Sequence, residues 1–202
     1  ITRTSMIGYF VERQGEQNIR DRVNCAFSEI KTIGSNKTDP IFAFVHILLP
    51  HPPYVFGPNG EAVIPGNPIS SETWNEKIAY LDQIKFVNKE IVKVIEKILS
   101  ENEKSIIILQ SDHGSGFDGD WKNPDDSMIL QRLSILNAYY VPEISENEFY
   151  DNITPVNSFR VIFNNYFDGN YEILEDINYW NNGFRPFNFH DVTEIINVNI
   201  KK

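Results

Sequence analysis

Hydrophobic and polar positions along this 202-residue chain change period several times, and each change predicts an element. Between Glu16 and Ile33, charged residues are interleaved with Ile19, Val23, Phe27 and Ile30. Spacings of three and four predict a helix with one buried face, ended by Gly34. Residues 36–40 form a turn. Residues 41–49 are a near-continuous apolar run with β-branched and aromatic members, which suits a strand covered on both faces, as in a parallel sheet. Residues 50–71 are rich in Pro and Gly and predict a loop too long for a simple connection. Ordered loops of that length are more often functional than accidental.

Ser71 is placed to cap the next element, with Trp74 and Glu76 in its first turns. A long amphipathic helix then runs to about Leu99, with Ile78, Leu81, Ile84, Lys85, Asn88, Ile91, Val92, Ile95 and Ile98 near one stripe. Residues 105–110 (SIIILQ) predict a second fully buried strand. Ser111-Asp112-His113-Gly114-Ser115-Gly116 follows at once, then a polar loop through Asp126. Residues 133–141 predict a third strand, stopped by Pro142. Thr154-Pro155 is a helix start, with Thr as N-cap and Pro at the first helical position. That helix carries Val156, Phe159, Ile162, Phe163 and Phe167 and ends near Gly169. The aromatic, Asn-rich tail from Tyr171 reads as short strands or irregular cover. The order of elements predicts an α/β sandwich around a largely parallel sheet. Ligands in such folds bind beyond the carboxyl ends of the strands, so the loops after Pro50 and after Ser111 are the expected site.

Composition narrows the function. The chain is 41% hydrophobic and 23% charged, values of an ordinary globular protein of one or two domains. A net charge of −10 opposes sequence-independent binding of nucleic acid. The one cysteine, Cys25, excludes an internal disulfide. No apolar stretch reaches the ~20 residues of a membrane helix. The chain opens on Ile rather than Met and shows no signal peptide, which reads as a piece of a longer protein.

Asp112-His113-Gly114 is the strongest local chemical signal. At a strand end the chain turns, and a glycine there permits angles other residues avoid. A carboxylate and an imidazole can then lean toward one point as half a shell for a divalent ion, zinc or manganese being favoured by the nitrogen. The alternative is an Asp capping a loop beside a hydrogen-bonded His. His46 and His51 are the second signal. His46 lies inside the apolar run and reads as a core histidine with both nitrogens satisfied. His51 stands between Pro50 and Pro52-Pro53, which restrict its backbone. A rigid imidazole at a strand's carboxyl end suits a donor to an anionic oxygen or to a leaving group; a structural role is the alternative. His190 reads as structural, Arg160 as solvated or ion-paired, and Asp118, Asp120, Asp125 and Asp126 as a solvated acidic loop. No glycine-rich phosphate loop, CxxC pair, HExxH or GxSxG occurs.

Taken in order, FAFVHILLPHPPYVFGPNG, YLDQIKFVNKEIVKVIEKIL, SIIILQSDHGSG, LNAYYVPE and ITPVNSFRVIFNNYF resemble the C-terminal half of sulfatase-like hydrolases and transferases. These belong to the alkaline phosphatase superfamily, whose relatives include lipoteichoic acid synthases and phosphoethanolamine transferases. The resemblance implies an alkaline-phosphatase-like three-layer sandwich, incomplete here. It implies that Asp112 and His113 ligate a catalytic divalent metal. It also implies that His51 contacts the transferred phosphate or sulfate, or its leaving group, with His46 a further substrate contact. The implied mechanism uses a Thr, Ser or formylglycine nucleophile and a covalent enzyme intermediate.

Two departures matter. The nucleophile and the acidic ligands of the family's N-terminal half are not found in this chain. Cys25 lacks the Cys-x-Pro-x-Arg surroundings of a formylglycine site, so a phosphate-transferring relative fits better than a true sulfatase. Many relatives also carry Glu after Asp-His-Gly, where this chain has Ser115. With two ligands the metal is held weakly, so the chain alone is expected to be a poor or inactive catalyst. The expected partners are a phosphate- or sulfate-ester of a glycan or lipid head group and the N-terminal half of the same protein. The resemblance also implies an extracytoplasmic, membrane-anchored parent. The competing readings are an inactive relative that binds such a glycan or lipid, and a structural domain whose Asp112 and His113 hold a loop.

Overall fold

In the computed structural model the chain divides into two compact units, Ile1–Ser105 and Ile106–Lys202. The structure describes residues 6–34, 39–63, 76–117, 119–181 and 183–200. Among them, no helix is long and apolar enough to cross a membrane.

The first unit is built on two helices, α1 (Met6–Ile30) and α2 (Lys77–Glu101). All four apolar positions of the predicted first helix face its core: Phe27 is buried, and Ile19, Val23 and Ile30 pack beside it. α1 begins at Met6, earlier than the pattern predicted. On α2 the inward line is Gln83, Phe86, Val87, Ile91, Val94 and Ile98. Ile78, Leu81 and Val92, placed on the predicted stripe, are exposed. The rotation of α2 follows its largest side chain. Phe86 stacks on Phe56 at 4.2 Å between ring centroids and meets the edge of Phe27 at 6.2 Å. Aromatic pairs of this kind contribute about 0.5–1.5 kcal/mol each beyond burial. The predicted cap Ser71 and Trp74 lie outside the described residues.

Residues 50–63 are not an open loop. Tyr54, Val55 and Phe56 are buried and anchor a tight hairpin. The Phe56–Ala62 bridge and the Val63 N–H to Val55 carbonyl bond (3.0 Å) close it, and Gly60 supplies a left-handed turn residue at φ 87°. The peptide bonds before Pro50 and Pro53 are cis.

The apolar run at 41–49 is extended, but it is not the buried strand expected. It has no ladder partner among the described residues, and Phe42, Phe44 and Leu48 are 86%, 81% and 70% exposed. Only Ile47 and Leu49, at its far end, pack on the core. The physical reason is non-local. An apolar sequence asks for cover, but cover must come from another element, and the described residues of this unit supply it at one end only.

The second unit holds β1 (Ile107–Gln110), α3 (Asp126–Leu133), β2 (Asn137–Tyr140), α4 (Pro155–Tyr166), β3 (Tyr179–Trp180), β4 (His190–Asp191) and α5 (Thr193–Ile200). β1 pairs with β2, Ile107 opposite Tyr140, and β3 pairs with β4. Both pairs are antiparallel, so the described strands do not form the largely parallel sheet expected. β1 is half-buried throughout rather than fully covered. Leu133 closes a helix instead of opening the third strand. Asp125 explains this: its carboxylate accepts the Met128 N–H at 2.8 Å, an N-cap that starts α3 and draws Met128 and Ile129 into a core with Trp180 and Val192.

α4 begins where Thr154-Pro155 predicted, with Pro155 in its first turn, although the Thr154 side chain makes no capping bond. Its inward face differs from the pattern. Asn157, Ser158, Val161 and Ile162 are buried, while Val156, Phe159, Phe163 and Phe167 are exposed. Asn157 faces inward because the tail saturates it. Its amide donates to the Leu174 carbonyl (2.8 Å) and to Asp176 (2.9 Å), and its oxygen accepts the Leu174 N–H (3.0 Å). The tail itself ends in α5, a helix its Asn-rich sequence did not announce.

Candidate functional site

The loop of the second unit that carries Asp112 and His113 leaves the end of β1. Ser111 N–H donates to the Leu136 carbonyl at 2.9 Å, and the Ser111 hydroxyl accepts the Leu136 N–H at 2.9 Å. Gly114 N–H donates to the Arg132 carbonyl at 2.7 Å. The loop is thus stitched at both ends to the connection between α3 and β2.

Gly114 is required here for closeness, not for unusual angles, because its φ is not positive. A Cβ at this position would overlap the Gln131 carbonyl oxygen and lie 2.6 Å from that of Ser134. The expected reason for the glycine is therefore corrected: the end of α3 lies against the loop backbone.

Held this way, Asp112 is exposed and His113 is half-exposed, with 3.5 Å between Asp112 Oδ2 and His113 Nε2. His113 Nδ1 lies 2.9 Å from the Gly114 carbonyl oxygen, which can only accept, so Nδ1 carries the proton. In the neutral ring the Nε2 lone pair is then free beside the carboxylate. This is the arrangement in which a second partner sets the tautomer of a metal-ligating imidazole. Two donors each about 2.1 Å from a tetrahedral zinc stand roughly 3.4 Å apart, so the pair fits two positions of such a shell. No group of three or more His, Cys, Asp or Glu able to hold a metal occurs among the described residues.

Arg132 joins this loop, and sequence reasoning missed it. Its Nη1 donates to the Gly114 carbonyl at 3.0 Å, and its guanidinium lies over the Trp121 ring, 5.1 Å from the centroid. Trp121 in turn stacks on buried Trp180 at 5.9 Å. Burial pushes the Arg132 guanidinium below its usual pKa, and the charge of Asp112 opposes that shift. The available signal was the helix Asp125 starts, which puts Arg132 in its last turn.

His51 belongs to the first unit and is exposed. Its Nδ1 lies 2.7 Å from the Pro52 carbonyl, which can only accept, so that nitrogen carries a proton. Its backbone is fixed by α2. Buried Gln83 accepts the Val55 and Phe56 N–H groups at 2.9 and 3.3 Å and donates to the His51 carbonyl at 3.4 Å. Gln83 is a second residue the sequence did not single out. His46 is exposed rather than a satisfied core histidine, because the face of the 41–49 segment that carries it is uncovered. His190 is exposed on β4 beside Asn188, and Arg160 donates to the Glu172 carbonyl. Of the acidic loop, Asp120 accepts the Lys122 N–H and Asp125 caps α3, while Asp118 lies outside the described residues.

The loop after β1 thus presents a vicinal carboxylate and imidazole, two of the donor types a divalent ion takes. A family model described as Sulfatase matches residues 16–161, most of the chain and both histidine-bearing loops. The chain belongs to the sulfatase family, within the alkaline phosphatase superfamily. No curated protein and no solved structure matches it. Membership points to an alkaline-phosphatase-like α/β fold and to hydrolysis of sulfate or phosphate esters.

Proposed function

We propose that this chain is part of a metal-dependent hydrolase or transferase of phosphate or sulfate esters that works through a covalent enzyme intermediate. The observation that carries the reading is the Asp112–His113 pair. It is exposed, 3.5 Å across, and its imidazole tautomer is set by the Gly114 carbonyl. These two residues would hold a divalent ion, zinc or manganese, which would supply positive charge to the group being transferred.

The nucleophile is a Thr or Ser outside this chain. Its hydroxyl oxygen gives its proton to solvent and bonds to phosphorus or sulfur as the ester oxygen leaves, and the departing oxygen takes a proton from Nε2 of the imidazolium form of His51. That assignment is supported by the resemblance and by the fixed Nδ1 partner at Pro52. His46 is a further substrate contact, consistent with its exposure.

The finer fold is a three-layer sandwich around a largely parallel sheet, completed by the N-terminal half of the same protein. Supporting it is the apolar, extended 41–49 segment, which has no ladder partner among the described residues. The relation to lipoteichoic acid synthases and phosphoethanolamine transferases, and an extracytoplasmic, membrane-anchored parent, follow from the resemblance.

The test compares the parent protein with its Asp112→Ala and His113→Ala variants by metal analysis and by turnover of nitrophenyl phosphate and sulfate. Both variants should lose metal and activity, and the 202-residue chain alone should turn over neither ester at enzyme-like rates. Unchanged metal content in the variants would overturn the reading.

A further inference from the structure

We propose that Arg132 is an anion-binding residue that grips the non-bridging oxygens of the sulfate or phosphate group at the Asp112–His113 loop. The inference deepens the ester reading above and rests on it for the identity of the anion.

The second unit is strongly acidic, with fifteen Asp and Glu against six Lys and Arg. In such surroundings a half-buried cation would be expected to take a carboxylate partner. Arg132 makes no salt bridge among the described residues. One N–H reaches the Gly114 carbonyl at 3.0 Å, and one face of the guanidinium rests on Trp121. The remaining donors of its five are uncommitted to any carboxylate.

Positioning of the group is unusually complete. The Trp121–Trp180 stack, rooted in the core with Met128, Ile129 and Val192, supports the guanidinium from one side. The Gly114 bond fixes it on the same carbonyl that orients His113. A planar, pre-ordered fork of N–H donors loses little entropy when it binds a tetrahedral oxyanion, and partial burial strengthens the attraction. The carbonyls of Leu130 and Arg132 at the end of α3 are occupied by the Ser134 and Gly114 N–H groups, which blunts the negative end of that helix.

The experiment titrates inorganic sulfate and phosphate into the 202-residue chain at constant ionic strength, following tryptophan fluorescence, to which Trp121 beside Arg132 contributes. Wild type should show a saturable change. Arg132→Lys, which keeps the charge but not the fork, should bind about tenfold more weakly, and Arg132→Gln should show no saturation. Melting curves run alongside separate binding from the structural bond to Gly114, and Arg132→Lys decides the matter should Arg132→Gln fold poorly. Equal anion affinity in wild type and Arg132→Lys, or no saturable binding in wild type, would overturn the proposal. Failure of the ester reading shows separately, as a parent protein that binds the anions through Arg132 yet turns over no ester.

Discussion

Replacing Gly114 by Ala adds one methyl group where two backbone segments meet. The new Cβ would overlap the Gln131 carbonyl oxygen and stand 2.6 Å from the Ser134 carbonyl oxygen. Neither neighbour is the flexible end of a side chain. They belong to the last turn of α3 and to the residue that caps it, and α3 is fixed by the Asp125 cap and by the core around Met128 and Ile129. The strain therefore falls on the loop. Overpacking of a close contact costs about 1–3 kcal/mol. Displacing Gly114 also weakens the 2.7 Å bond from its N–H to the Arg132 carbonyl, worth about 0.5–1.5 kcal/mol. The sum, about 1.5–4.5 kcal/mol, should lower the melting point of the second unit by at least roughly 6 °C, given about 4–8 °C per kcal/mol for a domain near 100 residues. The assay is thermal unfolding followed by near-ultraviolet circular dichroism, which reads the Trp121–Trp180 stack in this unit. Gly15→Ala is the matched control. Its Cβ meets nothing within 4 Å, and inside α1 the change should stabilise by about 0.5–1 kcal/mol. A Gly114→Ala protein that melts within about 2 °C of wild type would refute the claim that α3 lies hard against this loop.

Gln83→Leu keeps the volume but strands the Val55 and Phe56 N–H groups, so urea unfolding should show a loss of about 2–4 kcal/mol in the first unit. Burial alone would raise the Asp176 carboxyl, but hydrogen bonds from Thr154, Tyr150 and Asn157 outweigh it and hold its pKa below the usual value. A depressed carboxylate stabilises above its unfolded pKa of about 3.9 and loses that contribution as pH falls through the lower, folded value. Melting temperature against pH should therefore fall less steeply below about pH 4 in Asp176→Asn than in wild type. The Tyr150 hydroxyl, pushed up to about 12 by burial and by Asp176, stabilises below pH about 10 and loses this as pH rises through 12, a loss absent from Tyr150→Phe. Phe42→Ser with Phe44→Ser removes two exposed rings from an unpaired extended segment, and light scattering should report less aggregation of the chain with unchanged helix content.

Much of the local structure was legible along the chain. Ile19, Val23, Phe27 and Ile30 marked the buried face of α1, and Thr154-Pro155 marked the start of α4, because helix spacing and first-turn preferences act within a few residues. The Asp112-His113-Gly114 loop was legible because SIIILQ ends abruptly in polar residues and a glycine. The α3 helix was overlooked although Asp125 and the apolar Met128-Ile129 announced it, and the reading of 133–141 as one strand absorbed its end. The inward line of α2 was legible only at Ile91 and Ile98, because the helix is apolar on more than one side and the Phe56 stack on Phe86 chose among them.

Sequence alone determined the buried face of α1 and the start of α4, since those choices depend on backbone preferences and on the residues next door. Tertiary structure decided three things that no local pattern contains. It set the His113 tautomer through the Gly114 carbonyl, it placed Arg132 on Trp121 beside that same carbonyl, and it left Phe42 and Phe44 open. Each depends on which distant atoms come within a few ångströms, and hydrogen bonds, ring contacts and burial all act only at that range.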